Sequence, residues 1–399
     1  MNQKFYSLDI RKIFIAIPLI VVFLSNIFIT QVKGLAFIGD IAVIAGLSTL
    51  GAILIGHRAD VEILANEDDH AIENLTNGLK GMIVLVFVAT PFLLATYYFH
   101  INIIYICIAV LSCALALNDM LSSFFLRKGN LYFYSILRSF PSIILAIIVI
   151  FMQSPELSWV FSYLISLVIL LSITIMQLRS VNMPLKFLLV DLIRYLMSKL
   201  IPTITALICA TGTVFWLLII TQKAGSEAAG IWSNVYRIFS LPLVFLTATY
   251  LPLVLLKIGD LKTPLKKINE INKFSVLFFI LSLFILFVAS QWGPSIFSIL
   301  TGSNEMLAIP LLLSMIMFAV LKNFIGYHQS TFQALKLDYV LLGILILEII
   351  FALLLFQSSG VSQLEYIVDY IFLSVGICAL ILFLFLIFCT SKYFLNNSK

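Results

Sequence analysis

Between Glu227 and Lys257 the chain runs for 29 residues with one charge inside, Arg237. A helix rising about 1.5 Å per residue over that length exceeds the roughly 30 Å of a bilayer core, so the stretch reads as a long transmembrane helix. An intramembrane cation is costly unless it faces a bundle interior or a wet cavity. Ser233, Arg237 and Ser240 fall at i, i+4 and i+7 and form one polar stripe, with Asn234 beside it. Pro242 removes the amide that would bond the carbonyl of Ile238, which predicts a kink beside Arg237.

Apolar runs of similar length recur along the chain and give twelve spans. They lie at about 13–31, 37–56, 81–99, 102–126, 131–152 and 157–178, then at about 200–221, 228–256, 274–292, 306–328, 338–357 and 362–390. With 62% hydrophobic and 11% charged residues, too few polar side chains exist to cover a soluble core. The expected fold is an all-α polytopic membrane protein in two six-helix lobes. The first lobe covers 1–180, a cytoplasmic interfacial linker 181–199, and the second lobe 200–399. An even span count puts both termini on one side. If that side is cytoplasmic, 20 of the 24 basic residues fall on cytoplasmic loops or helix ends, and only Lys33 and Lys223 lie outside. Arg237 and Lys322 remain in the membrane. Ile29-Thr30-Gln31 and Ile220-Thr221-Gln222 end the first and seventh spans, each followed by a lysine and a glycine. Their matching places suggest parallel repeats about an axis along the membrane normal, an architecture of transporters.

The stretch after the second span is acidic, and Asn66 ahead of Glu67, Asp68 and Asp69 reads as the N-cap of a short surface helix. The five cysteines have no paired or metal-binding spacing and read as small buried hydrophobes. The N-terminal apolar run lacks a small-x-small cleavage site and reads as an uncleaved first helix.

No phosphate-loop motif occurs, so pumping would use a proton or sodium gradient rather than that route to nucleotide hydrolysis. No cofactor or metal is expected. His57, His70, His100 and His328 are scattered and read as interfacial polar side chains. No outer loop is large enough for a membrane glycosyltransferase, which disfavours catalysis. Charges inside the spans are more informative. Asp119 and Arg138 lie ten and nine residues either side of Gly129, so they should face each other. Such a pair satisfies both charges without a ligand. Lys322 and Glu348 are each 13 residues from Leu335, and Asp369 should lie within about a helical turn of Glu348 in depth. A Lys, a Glu and an Asp thus share related depths, and two carboxylates beside one lysine are candidates for ion coupling.

Three stretches carry a family resemblance: HRADVEILANEDDHAIENL (57–75), FFLRKGNLYFYSILRSFP (124–141) and AGIWSNVYRIFSLPL (229–243). They resemble the bacterial polysaccharide-transport flippases of the multidrug/oligosaccharidyl-lipid/polysaccharide (MOP) exporter superfamily. The resemblance implies a MATE-like fold and translocation of an oligosaccharide on undecaprenyl diphosphate, of the O-antigen or capsule type, from the cytoplasmic to the periplasmic leaflet. It implies no enzyme, no nucleic acid, a multi-pass protein of the bacterial inner membrane, and glycan polymerase and chain-length proteins as partners besides membrane lipids. Carried over residue by residue, Arg237 is a cavity cation, and Arg58 and Arg138 lie near the cytoplasmic mouth. Fixed cations suit a diphosphate, and arginine suits it through several directed donors. Lys322, Ser233, Asn234 and Ser240 complete the candidate cavity, with Glu348, Asp369 and Asp119 as ion-coupling candidates. Trp232, Asn234, Tyr236, Asn323, Tyr327 and Gln329 are candidates for sugar contacts. The first span offers only Ser25, Asn26, Thr30 and Gln31 where more basic relatives carry cations. Alternatives are a cation-coupled multidrug exporter of the same superfamily and a membrane polysaccharide polymerase or glycosyltransferase.

Overall fold

The computed structural model describes residues 8–65, 71–84, 103–178, 189–260, 264–302, 307–334, 338–357 and 363–397. Apart from short turns, every described segment is helical. The helices are α1 (Leu8–Lys33), α2 (Leu35–Gly56), α3 (Ala59–Ala65), α4 (71–84), α5 (Ile103–Arg127), α6 (Leu131–Phe151), α7 (Pro155–Leu178), α8 (Leu189–Asp260), α9 (Pro264–Thr301), α10 (Ile309–Ala334), α11 (Asp338–Gln357) and α12 (Leu364–Asn397). Eleven of the twelve predicted spans fall on these helices. The third begins in α4 and otherwise lies outside the described residues. Among the described residues eight helical stretches are long and apolar enough to cross a membrane, and one of them, Arg194–Thr247, has 54 residues, enough for two spans.

The chain divides into two compact units, Met1–Lys33 with Asp40–Leu207, and Gly34–Gly39 with Ile208–Lys399. In the first, α6 packs along α1 and α7, and α5 packs on α3, α6 and α7. The α5–α6 turn is written in the sequence Arg127-Lys128-Gly129-Asn130. Gly129 takes a φ of 75°, its amide bonds Leu126 O at 3.1 Å, and the amide of Asn130 bonds Phe125 O at 2.8 Å. These two bonds close α5 in a Schellman motif, whose left-handed position suits glycine. Asn130 then caps α6, its side-chain oxygen accepting from the amide of Phe133. The turn is therefore tight, and residues equally far from it on α5 and α6 come face to face.

The acidic stretch after α2 departs from the expected surface helix. Ala59 and Ile63 of α3 and Ala71 and Leu75 of α4 are buried in one cluster with Phe124 and Leu137. Helix positions four apart share a face, so a sequence rich in acids still presents a continuous apolar side. Asn66, the predicted cap, lies outside the described residues. Of the expected interfacial linker, the residues before Leu189 lie outside the described ones. Helical backbone runs from Leu189 into the seventh span without a break, and Lys199 pairs with Glu62 of α3.

In α8 Gly225 alone leaves helical φ/ψ, at φ 90° and ψ 169°. The backbone keeps helical φ/ψ through Pro242, and the break between two helices that run on into one another falls at Gly225. Gly34, between α1 and α2, has a φ of 87°. These two glycines end the repeated hexapeptides Ile29–Gly34 and Ile220–Gly225, both of the form I-T-Q-x-x-G, at a constant offset of 191 residues. The same offset relates Gly39 to Gly230 and Leu35 to Ser226, and these four residues meet reciprocally within the second unit. A Cβ on Gly39 would lie 2.3 Å from the Ser226 carbonyl oxygen, and one on Gly230 would lie 2.0 Å from that of Leu35. Two repeat-equivalent helix starts thus cross backbone to backbone about a local two-fold, a close approach that small residues allow in membranes.

The remainder of the second unit packs α10 against α9, α11 and α12. The outer stripe of α9, with Val276, Phe279, Ile280, Leu283, Phe284 and Phe287, is exposed. Large apolar side chains facing outward are what lipid as a solvent permits.

Candidate functional site

Polar groups inside the two units gather at three places. The first follows Gly225 on α8. Ser233 and Ser240 are buried and Arg237 is half-buried, so the predicted stripe exists on one face of one helix. Asn234 is also buried, but its amide donates to Gly230 O of its own helix at 3.1 Å. Trp232 packs on Phe318 of α10, with ring centroids 4.6 Å apart, and Tyr236 meets the same ring at 6.1 Å. Asn323 reaches the Tyr236 hydroxyl at 3.5 Å and donates to Ala319 O at 2.8 Å. These predicted sugar-contact residues are thus partly engaged in joining α8 to α10. Tyr327 is buried, stacked on Phe274 at 3.8 Å, and the Gln329 side chain lies outside the described residues.

The second place is deeper. Lys322 of α10 donates to both carboxylate oxygens of Glu348 on α11, at 2.8 and 3.0 Å, and the two side chains are 3% and 1% exposed. The indole nitrogen of Trp216 also donates to Glu348, at 3.1 Å. Gly212, one turn earlier on α8, lies directly beneath the carboxylate: a Cβ there would be 2.8 Å from Glu348 Oε1. Sequence reasoning from charges found the lysine and the glutamate and missed Gly212 and Trp216. The available signal was a glycine and an indole N–H at i and i+4, on one face of the seventh span.

Asp369 does not join this cluster. Its side chain is exposed on α12 and accepts from Ser314 Oγ at 2.9 Å. Tyr370 reaches Phe351 O and Cys378 reaches Ile344 O, a register that sets Asp369 about one turn from Glu348 in depth, as predicted. The rotation of α12 points it elsewhere. Hairpin arithmetic yields depth and carries no information on which way a helix faces.

The third place is in the first unit. Asp119 Oδ1 and Arg138 Nη1 are 2.6 Å apart across the α5–α6 hairpin, as the turn requires. Arg58 joins them, with Asp60, a residue that no spacing in the sequence marks. His57 and Arg58 have φ of 48° and 57°, two successive non-glycine residues in the left-handed region, each at a cost of roughly 1–2 kcal/mol. This turn brings Arg58 and Asp60, 3.8 Å apart, over a cavity of about 120 Å³ that is also lined by Thr49, Ala116, Asp119 and Met120. Arg58 Nε and Arg138 Nε are buried and make no hydrogen bond among the described residues.

The histidines divide. His70 and His100 lie outside the described residues, and burial lowers the pKa of His57 in the turn after α2. His328 is fully buried in the protein, 4.4 Å from the Phe324 ring and 5.0 Å from Tyr327. Cys107 and Cys378 are buried and Cys113 is half-buried, all with free thiols. No group of His, Cys, Asp and Glu among the described residues has a metal-holding arrangement.

No family model matches the sequence, and no curated protein matches it. Solved structures do. An outward-facing multidrug resistance MATE family transporter of the MOP superfamily matches with a TM-score of 0.63 at 12% identity, over 96% of each chain. An inward-facing structure of such a transporter matches at 0.60 and 13%, over 94% of this chain and 95% of the other. A MOP superfamily transporter from Pyrococcus furiosus, described by a reversed polarity of its binding pocket, matches at 0.59 and 16%, over 96% and 95%. The fold is therefore that of a polytopic all-α membrane protein of the MOP/MATE type, and its structural neighbours are MATE family transporters.

Proposed function

We propose that the chain is an alternating-access transporter that flips an oligosaccharide on undecaprenyl diphosphate across the bacterial inner membrane, with both termini in the cytoplasm. The observation that carries the reading is Arg237, a half-buried guanidinium in the middle of an apolar span, flanked by Ser233 and Ser240. A diphosphate crossing at membrane depth needs a fixed cation with several donors, and arginine supplies both. The three motif stretches that resemble polysaccharide flippases support the substrate class, and the MOP-type fold supports the mode of transport. In this reading Lys322, Arg58 and Arg138 add positive charge, and Glu348, Asp369 and Asp119 are the carboxylates from which a coupling site is drawn.

A second reading, a cation-coupled exporter of drugs, draws on the neighbours described as multidrug resistance transporters and on the aromatic group of Trp232, Tyr236 and Phe318. Deletion of the gene separates the two. The flippase reading expects surface glycan to disappear while lipid-linked repeat units accumulate on the cytoplasmic leaflet. Intact surface glycan with altered drug resistance would replace it by the exporter, and single repeat units displayed outside would replace it by a polymerase.

A further inference from the structure

Two of the ion pairs among the described residues, Lys322–Glu348 and Asp119–Arg138, differ in the property that decides whether a proton can come and go. Glu348 is 1% exposed, receives Lys322 on both oxygens and Trp216 on one, and lies against Gly212 with no space for a methyl group. Its two oxygens accept three hydrogen bonds among the described residues. Asp119 and Arg138 are 35% and 36% exposed, and Asp119 lines the cavity of about 120 Å³ under Arg58 and Asp60. At about 30 Å³ per water that space has room for a few molecules, for which Thr49, Arg58, Asp60 and Asp119 are the polar partners in an otherwise apolar lining.

We infer that Asp119 is the group that takes up and releases the coupling proton, with Arg138 as its positioning partner, and that Lys322–Glu348 is a fixed internal pair. The inference rests on the transport reading, which supplies the cycle that a proton would drive. The charged groups around Asp119 are Arg58 and Asp60 from the turn after α2 and Arg138 from α6. Tyr134 of α6 and Tyr163 of α7 are the other titratable groups that feel its charge. With two guanidiniums and two carboxylates the pocket is neutral. A proton passing from cavity water to an Asp119 oxygen dissolves the charge pair with Arg138 and leaves a net charge of plus one, shared between Arg58 and Arg138 against Asp60. A metal cation would meet the same two guanidiniums without losing its own charge, so the proton is the favoured ion.

Infrared difference spectroscopy on the purified full-length protein in lipid, between alkaline and acidic buffer, tests this without a substrate. Besides the bands of exposed carboxylates such as Asp369, one titrating band of a protonated carboxyl group with its own frequency and midpoint is expected in the wild type. It should be lost in Asp119→Asn, displaced but present in Asp119→Glu, and unchanged in the Lys322→Gln, Glu348→Gln double variant. Its midpoint should be the same in sodium and potassium salts. Survival of the band in Asp119→Asn, its loss from the double variant, or a midpoint that falls with sodium would each overturn the assignment. Because the band needs no glycan, such a failure would leave the flippase reading to its own test on surface glycan.

Discussion

Lys322 and Glu348 make a strong case for structure at the scale of single residues. Both are almost fully buried, and each is the other's main charge partner among the described contacts. Removing one strands the other in a low-dielectric interior, at a cost of about 3–5 kcal/mol, while removing both leaves no charge behind. Lys322→Gln and Glu348→Gln should therefore each reduce folded protein in the membrane, and the double variant should restore it, a non-additivity read by abundance and by thermal unfolding in detergent. Additive losses would mean that the pair is not a unit. Arg237 belongs to the same scale and to a different argument. On the proposed flippase function, Arg237→Ala should abolish glycan export with protein level maintained, and Arg237→Lys should recover only part of it, because an ammonium keeps the charge and loses the planar donor fork. Wild-type surface glycan from Arg237→Ala would make the residue structural.

At the scale of elements, the repeated I-T-Q-x-x-G hexapeptides matter more than their length suggests. Each ends a helix on a glycine of positive φ, and five residues further on each repeat places a second glycine against the other's backbone carbonyl. A backbone carbonyl cannot swing aside as a side chain can. Gly39→Ala and Gly230→Ala should each lower thermal stability by well over 1 kcal/mol, in the range of overpacked cores. Gly326, in the middle of α10 with nothing within 4 Å of a built Cβ, is the control. Gly326→Ala should be neutral or gain roughly 0.5–1 kcal/mol through helix propensity. Equal effects at the three positions would remove the crossing as the cause. Gly129 in the α5–α6 turn is legible in the sequence, since R-K-G-N contains both the C′ glycine and the N-cap asparagine. The Gly39–Gly230 crossing is not, because nothing local to either residue names its partner.

For the whole molecule the distribution of basic residues is the strongest constraint. With the N-terminus inside, 20 of 24 lie on the cytoplasmic side, a skew that a wrong span count would scramble. A reporter that is active only outside the cytoplasm, fused after Lys399, should be silent. An active fusion would overturn the twelve-span topology. The helices that the structure describes account for eleven of those spans, so the prediction depends on the third, which begins in α4.

The sequence by itself determined the positions of the eleven spans that fall on described helices, the tight hairpin that pairs Asp119 with Arg138, and the relative depths of Lys322, Glu348 and Asp369. All of these follow from counting residues along helices of known rise between turns marked by glycine, asparagine and charge. Tertiary structure decided the rest: that Trp216 and Gly212 complete the Glu348 site, that Asp369 turns away to Ser314, that Arg58 and Asp60 lie over a cavity lined by Asp119, and that His328 is buried among aromatic rings. The physical reason is rotational. In a soluble helix the apolar stripe announces which face is inward, but in these spans nearly every face is apolar because lipid accepts what a core accepts. The orientation of each helix is then set by packing between small residues and by a few polar contacts with distant partners, and those partners are known only once the chain has folded.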